Sequence, residues 1–109
     1  MLNDLINVNT VGFINLCKAH QIKTLFAFGS SVNGPFRDSS DVDLVVEIAE
    51  SDPINKGELL LSLWDKLEKF LNRKVDLLTN DSIRNPILKE NIEKTKQLIY
   101  DGTKEKVLY

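Results

Sequence analysis

Two aspartates that stand two positions apart, Asp41 and Asp43, are the first residues in this sequence that could do chemistry. They fall at the start of an apolar stretch, residues 42–49, that is typical of a β-strand. Residues two apart on a strand point to the same face, where two carboxylates ~5 Å apart repel each other by roughly 3 kcal/mol at an effective dielectric near 20. A divalent cation such as Mg²⁺ would offset that repulsion, because carboxylate oxygens are its preferred ligands. The simpler alternative is that both side chains lie at the exposed strand start and point into water.

A third carboxylate, Asp76, lies in another short apolar stretch, residues 75–79, that also predicts a strand. If this strand lies beside the first one, the three carboxylates converge. Three carboxylates can hold two metal ions for phosphoryl or nucleotidyl transfer, with Asp76 placed to activate the attacking hydroxyl. Taken alone, Asp76 is more simply explained as a strand-end residue that faces solvent.

A third feature is the pair Gly29 and Ser30, which directly follows a predicted strand and is followed by Gly34. Glycine allows a tight turn and lets a ligand approach the main chain closely. If a helical turn starts there, the backbone amides and the Ser30 hydroxyl could cradle a phosphate. Strand–Gly–Ser turns are common, so this feature alone is a weak indication.

The hydrophobic pattern predicts the elements that must position these residues. Strands alternate with helices, so the fold class is α/β or α+β with one sheet. The predicted strands are 22–28, 42–49, 75–79 and a last edge strand at 96–100. The predicted helices are 58–71, 86–94 and one within 8–20, in which Val11, Ile14 and Cys17 share a face after an N-cap at Asn9 or Thr10.

Length and composition limit the class of protein. The 109 residues predict a single domain over 1–109, and 14 basic against 16 acidic residues argue against a nucleic-acid partner. The sequence shows no apolar run of bilayer length and no signal peptide, so we expect no membrane partner and a cytoplasmic protein. The single cysteine, Cys17, is expected to be a buried, reduced thiol, and the single histidine, His20, to be satisfied at a helix end.

The combined pattern of Gly29-Ser30, ten residues, Asp41-x-Asp43 and a later Asp76 resembles the DNA polymerase beta superfamily of nucleotidyltransferases. The run GSSVNGPFRDSSDVDLVV is most similar to the minimal nucleotidyltransferases (MNT) of that superfamily. Many of these are antitoxins paired with a HEPN-domain toxin. The resemblance covers residues 22–79 well and implies a small mixed β-sheet with helices packed against it, the polymerase-beta-like nucleotidyltransferase fold.

The resemblance also implies roles for individual residues. Asp41 and Asp43 would be ligands shared by two Mg²⁺ ions, and Asp76 would bind the catalytic metal and act as general base. The residues implied for nucleotide binding are Gly29, Ser30, Gly34 and Arg37. Relatives often carry an arginine immediately before the second glycine, where this sequence has Asn33.

The implied reaction transfers a nucleoside monophosphate, AMP from ATP or that of another nucleoside triphosphate, to a hydroxyl. In HEPN-paired relatives the acceptor is a tyrosine of the toxin, so we expect a HEPN toxin as partner in a hetero-oligomer. Two alternatives remain open at this point. One is a non-catalytic antitoxin that neutralises its partner by contact, which Asn33 favours; the other is transfer to a small molecule, which usually needs a second domain.

Overall fold

A five-stranded mixed β-sheet organises the part of the chain that the computed structural model describes, which is residues 2–29, 32, 41–104 and 106–107. The helices in these ranges are α1 (Leu2–Asn7), α2 (Thr10–Ala19), α3 (Pro53–Leu71) and α4 (Pro86–Thr95), with a 3₁₀ turn at Asn80–Ser82. The strands are β1 (Ile22–Phe28), β2 (Val42–Ile48), β3 (Val75–Leu78), β4 (Gln97–Asp101) and β5 (Lys106–Val107). None of these helices has the length and apolar character needed to cross a membrane.

The strand order is β3-β2-β1-β4-β5, and β2 and β3 run parallel while the other neighbours are antiparallel. This mixed sheet with packed helices confirms the predicted fold class. The strand predicted at 96–100 is present as β4, but its predicted edge position is wrong, because β4 pairs with β1 on one side and with β5 on the other. The two-residue strand β5 follows a tight turn and is too short to leave a period-2 pattern in the sequence.

The sheet separates two apolar layers. Residues of β2 alternate between them: Leu44 and Val46 face the main core, which α1, α2 and α3 cover, whereas Val45 faces a smaller cluster under α4. Helix α4 contributes Ile92 to that cluster, and β1 contributes Phe28. Because Asp43 is two residues from Val45, it belongs to the face that α4 partly covers.

Helix α3 begins earlier than predicted, at Pro53 instead of residue 58. The Asp52 side chain accepts a hydrogen bond from the Ile54 N–H at 3.3 Å, and Pro53 suits the first helical position because it has no N–H to leave unpaired. The helix ends at Leu71, and the C-cap residue Asn72 takes a left-handed conformation with φ 53°. The tight turn that follows leads directly into β3.

Candidate active site

Asp43 and Asp76 are direct neighbours across the parallel pair β2–β3, where their Cα atoms are register partners. The condition set by the sequence analysis, that the two aspartate-bearing strands lie side by side, is therefore met. Asp41 is exposed and directly precedes β2, so it lies just before the strand and not within it. Asp76 is also exposed, whereas Asp43 is half-buried between β1 and β3.

The electrostatics of Asp43 show that the three carboxylates influence one another. Its pKa is raised above the ordinary value, first because burial disfavours the charged form and then because the negative charges of Asp76 and Asp41 oppose its ionisation. Asp43 and Asp76 are thus adjacent across β2–β3, and the negative charge of Asp41 also acts on Asp43. A half-buried carboxylate with two negative neighbours is stabilised by a bound cation or by protonation.

Gly29 borders this site from the end of β1. Its φ of +65° is a left-handed conformation that side chains rarely adopt, and a Cβ built on it would stand 2.6 Å from Asp43 Oδ2. Phe28, the residue before it, is the register partner of Asp43 across β1 and β2. The glycine is therefore needed both for the turn and for the space that the Asp43 carboxylate occupies.

The other residues predicted to bind nucleotide, Ser30, Gly34 and Arg37, lie outside the described residues, as does Asn33. Within the described ranges, no group of three or more His, Cys, Asp and Glu side chains could hold a metal ion by itself. Mg²⁺ is usually bound through one or two carboxylates together with substrate phosphates and water. The chemistry of the three aspartates fits such a shared site, and their assignment as metal ligands stays a prediction.

Several other candidate residues are structural. His20 is buried, with Nδ1 2.7 Å from the Leu16 carbonyl oxygen and Nε2 2.9 Å from Ser62 Oγ. Cys17 is fully buried in the main core, and burial raises its pKa to about 12, so it is inert as a nucleophile. Glu47 is a candidate because alternation along β2 puts it on the same face as Asp43, but it is exposed and forms an ion pair with Lys23 at 3.8 Å.

Two side chains of α3 reach the strand that carries Asp76, and sequence reasoning did not connect them with the site. Trp64 Nε1 donates to the Val75 carbonyl at 2.6 Å, and Glu68 Oε2 accepts from the Val75 N–H at 2.9 Å. Their spacing of four residues is a weak sequence signal, because many pairs of residues on one helix face have the same spacing.

A protein-family model described as "Polymerase beta, Nucleotidyltransferase" matches residues 13–105 of this chain. The chain belongs to the polymerase beta nucleotidyltransferase family. The sequence-based resemblance is thereby confirmed, and the protein is a nucleotidyltransferase that uses a nucleotide as substrate. The matched segment contains Gly29, Asp41, Asp43 and Asp76.

Individual relatives of this nucleotidyltransferase carry more specific names. It is 41% identical over 81 residues to "Putative protein adenylyltransferase MJ1379" of Methanocaldococcus jannaschii, which covers 74% of this chain and 78% of the relative. It is 32% identical over 68 residues to protein adenylyltransferase MntA of Thermococcus cleftensis, covering 62% of this chain and 66% of the relative. A crystal structure of a toxin-antitoxin with AMP-PNP superposes with a TM-score of 0.61 at 25% identity, covering 85% of this chain and 73% of that one.

Proposed function

We propose that this nucleotidyltransferase is a Mg²⁺-dependent protein adenylyltransferase that transfers AMP from ATP to a tyrosine hydroxyl of a HEPN toxin and so acts as its antitoxin. The names of the relatives support protein adenylylation, and the toxin-antitoxin structure with AMP-PNP supports an adenine nucleotide and a toxin partner. The acidic net charge argues against nucleic-acid ends as acceptors.

The observation that carries this proposal is the Asp43–Asp76 pair, with Gly29 beside it at the end of β1. A turn with a glycine at positive φ can approach phosphates closely, and carboxylates on two adjacent strands can serve the reacting centre. In this proposal the nucleotide phosphates lie beside Gly29 at the end of β1, and the acceptor hydroxyl lies beside Asp76 on β3.

The proposed step is a single displacement at the α-phosphorus of ATP. The acceptor oxygen forms a bond to that phosphorus, the bond to the β-phosphate oxygen breaks, and pyrophosphate leaves with the electron pair. Asp76 is exposed, so an acceptor hydroxyl can approach it, and it would take the hydroxyl proton as general base. Gly29, Ser30, Gly34 and Arg37 would hold the nucleotide phosphates.

Asp41, Asp43 and Asp76 would hold Mg²⁺ together with phosphate oxygens of the nucleotide. The bound ions would supply neutralisation of the negative charge that develops on the transferring phosphoryl group. Without a cation, Asp43 is a half-buried carboxylate with two like charges as neighbours, and burial first and those charges second raise its pKa. The half-buried carboxylate is thus suited to a cation more than to solvent.

The test is transfer of label from α-labelled ATP in the presence of Mg²⁺ to the protein that is encoded next to this one. We expect label on the neighbour with the wild type and with Asp65→Asn, an exposed carboxylate on α3, and none with Asp43→Asn. Absence of label with the wild type, while a stable complex forms, would overturn the catalytic proposal and support neutralisation by contact.

A further inference from the structure

The outer side of β3 is closed by side chains and not by a strand. β3 stands at the end of the strand order, and among the described residues no strand pairs with its outer side. The Lys74 carbonyl accepts from the Val42 N–H at 2.9 Å and so faces β2, which turns the backbone groups of Val75 away from β2. Both of these outward groups have partners on α3, namely Glu68 for the N–H and Trp64 for the carbonyl.

Trp64 and Glu68 project from a segment of α3 that is anchored in the main core. Trp64 and Glu68 are one helical turn apart and so share a face of α3. Next to them, Leu63, Leu67 and Leu71 are almost fully buried in the main core. Both hydrogen bonds are themselves partly buried, so their loss would leave polar groups poorly solvated.

The bonds act on the two peptide planes that precede Asp76. The Val75 carbonyl and the Asp76 N–H belong to one planar peptide group. The Trp64 hydrogen bond therefore fixes the orientation of the peptide plane that contains the Asp76 N–H. The plane before it is held from both sides, by Val42 at the Lys74 carbonyl and by Glu68 at the Val75 N–H. A four-residue strand with one strand neighbour has few other means of fixing these planes.

We infer that Trp64 and Glu68 are positioning residues for nucleotidyl transfer, which hold Asp76 opposite Asp43 through the backbone of Val75. In this inference both side chains act on Asp76 through the Val75 backbone and not on the substrate itself. The catalytic consequence of this arrangement rests on the proposed function of Asp76 as general base. A small displacement of a general base lowers the rate of the chemical step more than it lowers nucleotide binding.

The kinetic test uses variants that remove one hydrogen bond each and keep the packing. Trp64→Phe keeps the ring face but loses the N–H, Glu68→Met loses the acceptor, and Glu68→Gln keeps an oxygen acceptor. We expect the first two to lower kcat for AMP transfer by about tenfold or more with the KM for ATP unchanged within about twofold. We expect Glu68→Gln and the matched control Asp65→Asn to retain activity.

Two kinetic outcomes would overturn the inference. One is a kcat within about twofold of wild type in both Trp64→Phe and Glu68→Met, and the other is a loss in Glu68→Gln equal to that in Glu68→Met.

A second readout separates this inference from the proposed function. In amide hydrogen exchange by NMR, Glu68→Met is expected to speed exchange at Val75, and Trp64→Phe to shift the amide resonance of Asp76. If the wild type transfers no AMP, the proposed function fails and the NMR result still decides the positioning. An unchanged Val75 exchange rate together with an unshifted Asp76 amide would overturn it.

Discussion

Gly29 leaves the space that the carboxylate of Asp43 occupies, since a Cβ at position 29 would stand 2.6 Å from Asp43 Oδ2. The two residues come from neighbouring strands, and the close approach is possible because the turn after β1 takes a positive φ at Gly29. The turn at Gly29 and the Asp43 carboxylate are therefore packed against each other. A substitution that moves the turn is expected to displace the carboxylate.

Gly29→Ala is therefore expected to impair both stability and transfer. The left-handed conformation costs a residue with a Cβ about 1–2 kcal/mol, and displacement of Asp43 is expected to lower transfer by about a hundredfold. Urea unfolding and the labelled-ATP assay measure the two effects. Gly57→Ala is the control, because a Cβ there meets no atom within 4 Å; in helix α3 it is expected to raise the free energy of unfolding by about 0.5–1 kcal/mol. Wild-type transfer by Gly29→Ala would contradict the coupling of turn and carboxylate.

Asp43→Asn is expected to abolish transfer and to raise the free energy of unfolding. The carboxylate is half-buried beside Asp76 and Asp41, so its charge costs stability in the absence of a cation, and the neutral amide removes that cost. The amide is also a poorer ligand for Mg²⁺. Thermal unfolding with and without Mg²⁺ measures this: saturating Mg²⁺ is expected to raise the Tm of the wild type and to leave that of Asp43→Asn unchanged.

The control for this prediction is Asp65→Asn, which removes an exposed carboxylate paired with Lys69 at 3.0 Å. Its Tm is expected to respond to Mg²⁺ as the wild type does. Equal Mg²⁺ responses in the wild type and in Asp43→Asn would place the cation elsewhere. Transfer at the wild-type rate by Asp43→Asn would show that this carboxylate takes no part in the reaction.

Cys17 is expected to resist thiol reagents in the folded protein. Burial raises its pKa from 9.0 to about 12, so at pH 8 the reactive thiolate is about a thousandfold rarer than in the unfolded chain. Reaction with a disulfide reagent, followed by absorbance with and without urea, measures the ratio. Because the folded pKa lies above the unfolded one, the stabilisation from the buried thiol is complete below pH 9.0 and is lost as the pH rises towards 12. Fast native labelling at pH 8 would contradict the buried placement.

The central strands could be predicted from the sequence because their patterns are local. The predicted strand 22–28 coincides with β1, and the predicted strand 42–49 exceeds β2 by one residue. The sequence could raise the adjacency of Asp43 and Asp76 only as a condition, because strand order depends on tertiary contacts, and the parallel pairing of β2 and β3 meets that condition. Asp43 and Asp76 could be singled out from the sequence because acidic residues in short apolar strands are locally unfavourable.

Features that depend on tertiary contacts could not be predicted. Helix α1 is six residues long and is stabilised by the burial of Leu2 and Ile6, so its own sequence pattern is too short to indicate it. Val11, predicted to share the inner face of α2, is 69% exposed, because Phe13 takes the core position and packs against Phe70 with ring centroids 5.5 Å apart. The Trp64 contact with Val75 likewise depends on the turn that returns the chain beside α3.

His20 is expected to act in stability and not in transfer, and Ser62→Ala tests this. The Leu16 carbonyl can only accept, so Nδ1 donates to it, and in the neutral ring the Ser62 hydroxyl donates to Nε2 at 2.9 Å. Loss of this partly buried bond is expected to lower the free energy of unfolding by about 1 kcal/mol and to leave kcat unchanged. Ser51→Ala, at an exposed serine before α3, is the control and is expected to change stability by less than about 0.5 kcal/mol. A loss of transfer in Ser62→Ala without a loss of stability would instead make His20 part of the active site.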